Sequence, residues 1–190
     1  MLGLILSDLR AKARWCYQDD SASALIKVLL TDGTVAMLVY RAMQSARAHG
    51  LVPLEWALNK FNVLTQNCII GRGADFGPEF VLVHSTGIVI NGQVRGGCRV
   101  YIEHQVTIGA EGRHSPRLGD DVFIGAGAKI VGPVVVGSHT RIGANAVVIG
   151  NVPDYATAVG VPARVVHRPA RPAFPINVSE LAAQPQKVSA

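Results

Sequence analysis

Residues 118–148 read LGDDVF IGAGAK IVGPVV VGSHTR IGANAV V. Leu118, Ile124, Ile130, Val136, Ile142 and Val148 stand six apart, and glycine follows four of them at Gly119, Gly125, Gly137 and Gly143. Working backwards, the same phase picks out Ile70, Phe76, Leu82, Ile88, Val94, Val100 and Val106. A strand in a globular sheet alternates with period two and a helix with period 3.6, so neither keeps an apolar residue at every sixth position over about 80 residues. A period of six predicts a triangular coil in which each hexad supplies one flat face and one corner. The phase residue points into the prism, and the small residue beside it lets the backbone turn. Stacked coils supply the core that one coil cannot, so both open ends need cover.

Outward from the repeat the pattern changes. Over residues 1–66, apolar positions recur at threes and fours, at Val35, Leu38, Val39 and Ala42 and again at Leu51, Leu54, Leu58 and Phe61. This predicts a prelude of three or four short helices that covers one end of the prism. Thr34 or Asp32 would cap one helix, and Gly50 and Pro53 would separate it from the next. Within the repeat the glycine spacing breaks once, at Ala110-Glu111-Gly112-Arg113-His114-Ser115-Pro116-Arg117. This polar run predicts a loop over 109–117 that projects from the prism, and such loops are where function tends to sit. Residues 169–190, with Pro169, Pro172, Pro175 and Pro185, read as an irregular tail.

Lys and Arg outnumber Asp and Glu by 18 to 13, giving +5. With only 6% aromatics and 20 glycines, the chain does not read as a base-stacking nucleic-acid binder, and its charge suits an anionic small ligand such as a polyphosphate. Cys16, Cys68 and Cys98 are odd in number and lack metal-type spacing, so neither a disulfide framework nor a zinc knuckle is expected, and a reducing cytoplasm fits. The opening apolar run is six residues, closed by Asp8 and Arg10, too short for a signal peptide or a span. A peripheral membrane contact of the basic prelude is left open, with no motif that supports it.

Four motifs follow one another: Val83-His84-Ser85-Thr86-Gly87-Ile88-Val89-Ile90, Val106-Thr107-Ile108-Gly109, Ile124-Gly125-Ala126-Gly127-Ala128-Lys129-Ile130, and Gly160-Val161-Pro162-Ala163-Arg164. Together they resemble the serine acetyltransferase family and the related O-acetyltransferases of bacterial polysaccharide synthesis, over residues 67–168. The resemblance implies a mainly β chain: a left-handed parallel β-helix of hexapeptide repeats behind a short N-terminal α-helical domain. It also implies acetyl-CoA as co-substrate, no metal, and a homotrimer or a pair of trimers.

The family's catalytic base matches His84. An alcohol must lose a proton as it attacks a thioester, and imidazole titrates near working pH. The family's projecting loop carries an Arg-His pair on the acceptor, resembling Arg113-His114, although anchoring on Pro116 shifts His114 by one position. His104, flanked by Glu103, sits in a segment similar to that of the polysaccharide enzymes, and both would meet the acceptor. Gly109, Gly125, Ala126, Gly127 and Ala144 match the positions along which the pantetheine arm runs, with Lys129, Arg164 and Arg168 toward the phosphates.

Two departures bear on the acceptor. The serine enzymes place an aspartate before the base and another about 15 residues earlier; this chain has Val83 and Ile69. An ammonium group without a counter-charge in a dry pocket is costly, so a sugar or polysaccharide-intermediate hydroxyl is expected ahead of serine. Asp75, Glu79 and Glu103 are the carboxylates able to stand in. Two further classes use the same scaffold: a zinc enzyme like the β-helical carbonic anhydrases, if His84, His104 and His114 converged, and a coenzyme A-binding scaffold without turnover.

Overall fold

The computed structural model describes residues 1–166; Arg168 and the tail expected over 169–190 lie outside them. Four helices open the chain: α1 (Leu2–Tyr17), α2 (Ala22–Leu29), α3 (Thr34–Ala48) and α4 (Val52–Gln66). Ser21 Oγ caps α2 by accepting from Ala24 N. Pro53 sits in the first turn of α4, where its missing N–H costs nothing. Helices α3 and α4 lie where the periodicity puts them, but the stripes that reveal them are not the buried ones. On α3 the buried side is Ala36, Met37, Tyr40 and Met43, while Val35 is exposed. On α4 the buried residues are Glu55 and Asn62, and Leu54, Phe61 and Leu64 face outward. No described helix is by itself long and apolar enough to cross a membrane.

Neither expected cap serves α3. Its N-cap is Gly33 at φ 78° with no side-chain cap, and the Thr34 hydroxyl donates back to the Val28 carbonyl at 2.7 Å. Asp32 is directed elsewhere, as described below.

Fifteen short strands follow: β1 (Cys68–Ile70), β2 (Asp75–Phe76), β3 (Val81–Leu82), β4 (Ile88–Ile90), β5 (Arg95–Gly96), β6 (Val100–Ile102), β7 (Thr107–Gly109), β8 (Arg117–Leu118), β9 (Val122–Ile124), β10 (Lys129–Val131), β11 (Val135–Val136), β12 (Arg141–Ile142), β13 (Val147–Val148), β14 (Thr157–Val159) and β15 (Arg164–Val166). Every third strand stacks in parallel on one of three faces: β1-β4-β7-β10-β13, then β2-β5-β8-β11, then β3-β6-β9-β12-β14, with β15 closing the last face antiparallel to β14. The result is a left-handed parallel β-helix of about five turns behind a helical cap.

All thirteen phase residues are buried, and they form the axis of one continuous core. The register is less uniform than the sequence implies. Leu82 and Ile102 are partners on one face and Ile70 and Ile90 on another. Thus eight positions separate Leu82 from the inward residue of the next face, where six separate Ile90, Gly96, Ile102 and Ile108. The two extra residues fall in the corner that carries His84. From Ile108 to Leu118 the step is ten, because the projecting loop adds four. Two plus four make one hexad, so the period resumes in phase although two corners are irregular.

The cap is docked through buried polar chemistry. Arg41 of α3 donates to both Asp8 carboxylate oxygens (2.6 and 3.0 Å) and to the carbonyls of Phe76 and Gly77, and Asp8 also accepts from Phe80 N. Tyr40 packs edge-on to Phe76, and its hydroxyl donates to the Ala74 carbonyl at 3.1 Å. One partner of a pair so deeply desolvated cannot be removed cheaply.

Candidate functional site

His84 follows β3 in the two-residue-longer corner between the third face and the first. The bulge turns its side chain outward, and the ring is about half exposed. Its Nδ1 lies 3.0 Å from Asp32 Oδ2. A carboxylate only accepts, so Nδ1 donates the hydrogen bond, which leaves Nε2 as the ring nitrogen able to exchange a proton with a ligand. The orienting carboxylate therefore comes from the turn between α2 and α3, and not from Asp75, Glu79 or Glu103. Asp75 accepts from Gln44 Nε2 at 2.8 Å, Glu79 pairs with Arg14 at 3.0 Å, and Glu103 Oε2 lies 3.8 Å from His104 Nδ1. Sequence reading gave Asp32 only a capping role; the bond spans 52 positions, and no local pattern reports it.

Three features fix Asp32 against this corner. Lys12 of α1, fully buried, donates to the Asp32 carbonyl and to the Leu82 carbonyl at 2.8 Å. Burial pushes the Lys12 ammonium down from 10.5 to about 8, with Cys16 and Asp32 opposing the shift. Ser85 Oγ reaches Asp32 Oδ1 at 3.4 Å. Gly33 lets the turn approach, since a Cβ there would lie 2.6 Å from the Leu82 carbonyl oxygen.

One coil further along, His104 occupies the same corner, its ring 5.9 Å from that of His84 at 75°. The corner continues upward: Gln105 N donates to Thr86 O, Gly127 N to His104 O, and Asn145 N to Ala126 O. His84, His104, Ala126, Gly127 and, through Asn145, the exposed Ala144 thus share one edge of the prism. The coil stack itself requires two of the small residues. A Cβ at Gly125 would meet Ala144 N at 2.7 Å, and one at Gly127, where φ is +72°, would meet Asn145 Oδ1 at 2.1 Å. Gly109 differs: a Cβ would meet nothing closer than 3.9 Å, so the fold leaves room beside it. Lys129 Nζ, expected near phosphates, donates to the Gln105 carbonyl at 2.5 Å. Arg164 is exposed on β15 at the far end.

Arg113 and His114 stand elsewhere. Their loop leaves β7 and enters β8, at the corner between the first face and the second, and Glu111 and His114 close it with paired backbone bonds of 2.9 and 3.0 Å. Within one chain the first face separates this loop from His84, so the structure does not bring the two together. The three histidines do not converge either, and no group of three or more His, Cys, Asp or Glu side chains among the described residues is arranged to hold a metal ion.

A base oriented by a carboxylate, open on one side, above an edge of small residues can take a proton from a hydroxyl whose carbonyl partner lies along that edge. A family model described as bacterial transferase hexapeptide (six repeats) matches residues 115–150. A serine acetyltransferase of Mycobacterium tuberculosis is 36% identical over 171 residues, covering 87% of this chain and 73% of that protein. A serine acetyltransferase structure in complex with CoA aligns at 32% identity and a TM-score of 0.75, over 85% of this chain and 68% of that one. The soybean serine acetyltransferase complexed with serine aligns at 33% identity and 0.77, over 86% and 68%.

Proposed function

The chain belongs to the serine acetyltransferase-like hexapeptide-repeat family, and from that membership we propose that it transfers the acetyl group of acetyl-CoA to a hydroxyl, with His84 as base. The Asp32–His84 contact carries the reading. His84 Nε2 takes the hydroxyl proton as the oxygen attacks the thioester carbonyl. A C–O bond forms, the C–S bond breaks, and the proton passes to the departing thiolate. Asp32 keeps Nδ1 protonated and stabilises the imidazolium that forms. The room beside Gly109 and the edge formed by the half-buried Ala126 and the exposed Ala144 suit a pantetheine arm.

For the acceptor, the relatives' names support L-serine over the sugar hydroxyl anticipated from Val83 and Ile69. The physical ground for that anticipation weakens as well, because Asp32 puts a half-exposed carboxylate beside the base, where an ammonium group needs one. A sugar hydroxyl remains the second reading, favoured by Val83, which is buried and offers no charge, and by the His104 ring next to His84. We also propose a homotrimer, in which a neighbour's projecting loop approaches the His84 corner, and a cytoplasmic setting in keeping with three free cysteines.

Thiol release from acetyl-CoA, followed with L-serine and with a panel of nucleotide sugars, tests the reading. Saturable turnover with serine that disappears in His84→Ala supports it, turnover with a sugar alone moves the acceptor to the second reading, and coenzyme A binding without turnover of any acceptor refutes the activity.

A further inference from the structure

The second face of the prism holds an arrangement that the fold does not explain. Arg95 of β5 and Arg117 of β8 are direct register partners on adjacent parallel strands. Like charges placed opposite one another destabilise a strand pair. Asp75, in register with Arg95 on the other side, is turned to Gln44 and forms no ion pair with it. Arg95 is held by its Nη1, which donates to the carbonyls of Gly73 and Val94 at 2.9 Å. The Arg117 guanidinium makes no hydrogen bond or ion pair with any described residue, and neither does that of Arg113.

These three arginines and His114 line an open cavity of about 470 Å³, whose apolar wall is Pro133, Val134 and Val135. No carboxylate lines it. Cationic groups that converge without a counter-charge are satisfied by an anion, and planar guanidinium forks match the oxygens of phosphate. The apolar wall gives such an anion's organic remainder a surface to lie on.

We propose that this cavity binds a phosphate ester or diphosphate. The inference rests on the acetyltransferase reading for its biological source, which is either a phosphorylated acceptor, such as a nucleotide sugar, or the phosphates of coenzyme A. Within one chain the cavity lies across the first face from the His84 edge.

The test is calorimetric titration of the full-length protein with inorganic pyrophosphate, for wild type, Arg95→Gln, Arg117→Gln, the double variant, and Lys60→Gln as a control that removes an exposed charge from α4. Binding in the wild type that weakens at least about tenfold in the double variant and is unchanged in Lys60→Gln is expected. No pyrophosphate binding by the wild type, or equal binding in a double variant that melts like wild type, overturns the proposal. Steady-state kinetics on the same variants separate the sources: a rise in KM for acetyl-CoA assigns the site to the donor, and a rise only for a nucleotide-sugar acceptor assigns it to the acceptor. Loss of pyrophosphate binding in the double variant, in a protein that acetylates nothing, supports the site while the activity reading fails.

Discussion

At the residue scale, the proposed chemistry turns on one aspartate that the chain supplies from an unexpected place. Asp32 meets the His84 ring from the helical cap, and it is held there by the close approach of Gly33 to Leu82. Asp32→Asn removes the charge that stabilises the imidazolium and frees the ring tautomer, so kcat should fall by about 100-fold or more while KM for acetyl-CoA stays within about twofold. Equal activity in the variant would remove Asp32 from the mechanism. Gly33→Ala should act on the same step without touching the chemistry: its Cβ would be driven against the Leu82 carbonyl at a φ of +78°, displacing Asp32. Its kcat should therefore drop along with that of Asp32→Asn, and the double variant should be little worse than either single one. Additive losses would show that the two act separately.

At the scale of elements, the helical cap both closes the core and carries part of the site. Lys12 links α1 to the Asp32 turn and to β3 through two carbonyls, and its burial has a definite sign. The folded chain releases the Lys12 proton near pH 8, while the unfolded chain holds it to 10.5, so between these values the unfolded state binds more protons and stability rises with pH. Below pH 8 the burial penalty is present in full. Cys68 and Tyr101, whose acids burial pushes up to about 12, act oppositely above about pH 9, because the unfolded state gives up those protons first. The difference between wild type and Lys12→Met isolates the lysine. That difference, measured by urea unfolding, should shift toward wild type by up to about 3 kcal/mol from pH 7.5 to 10. A pH-independent difference would mean that Lys12 is not desolvated. The Asp8–Arg41 pair makes a second point of failure: Asp8→Ala leaves a buried guanidinium without its partner and should cost about 3–5 kcal/mol, read as a lowered urea midpoint.

At the scale of the whole molecule, the prism separates the two halves of the proposed active centre: His84 is on one edge, Arg113 and His114 on the next. In the proposed trimer a neighbour's loop supplies the second half. Mixing His84→Ala with Arg113→Ala subunits under exchange conditions should then restore activity that neither homo-oligomer has, because some interfaces pair an intact base with an intact loop. Absence of any restoration in demonstrably mixed oligomers would place both halves in one subunit.

The prism could be read directly because its rule is local and repeated. Each hexad buries one residue, as Ile124, Ile130 and Val136 do, and thirteen repetitions leave little else that the pattern could mean. The positions of α3 and α4 were legible in their spacing, but not which side of them is buried. Glu55 and Asn62 face inward on α4 because Arg72 and the Ala36 carbonyl await them across the packing surface, and sequence spacing does not report partners 17 and 26 positions away. The proposed base, His84, was visible in its motif; the aspartate that bonds it was not, since that bond joins a turn in the cap to a corner of the prism. The sequence by itself determined the period-six coil and the projecting loop, and it singled out His84 as the proposed base, all set by neighbours within a few residues. Only the tertiary structure decided which carboxylate meets that base, which helix faces are buried, and where the arginines gather, because each depends on how distant segments dock, and docking is fixed by packing and paired polar groups that no single stretch contains.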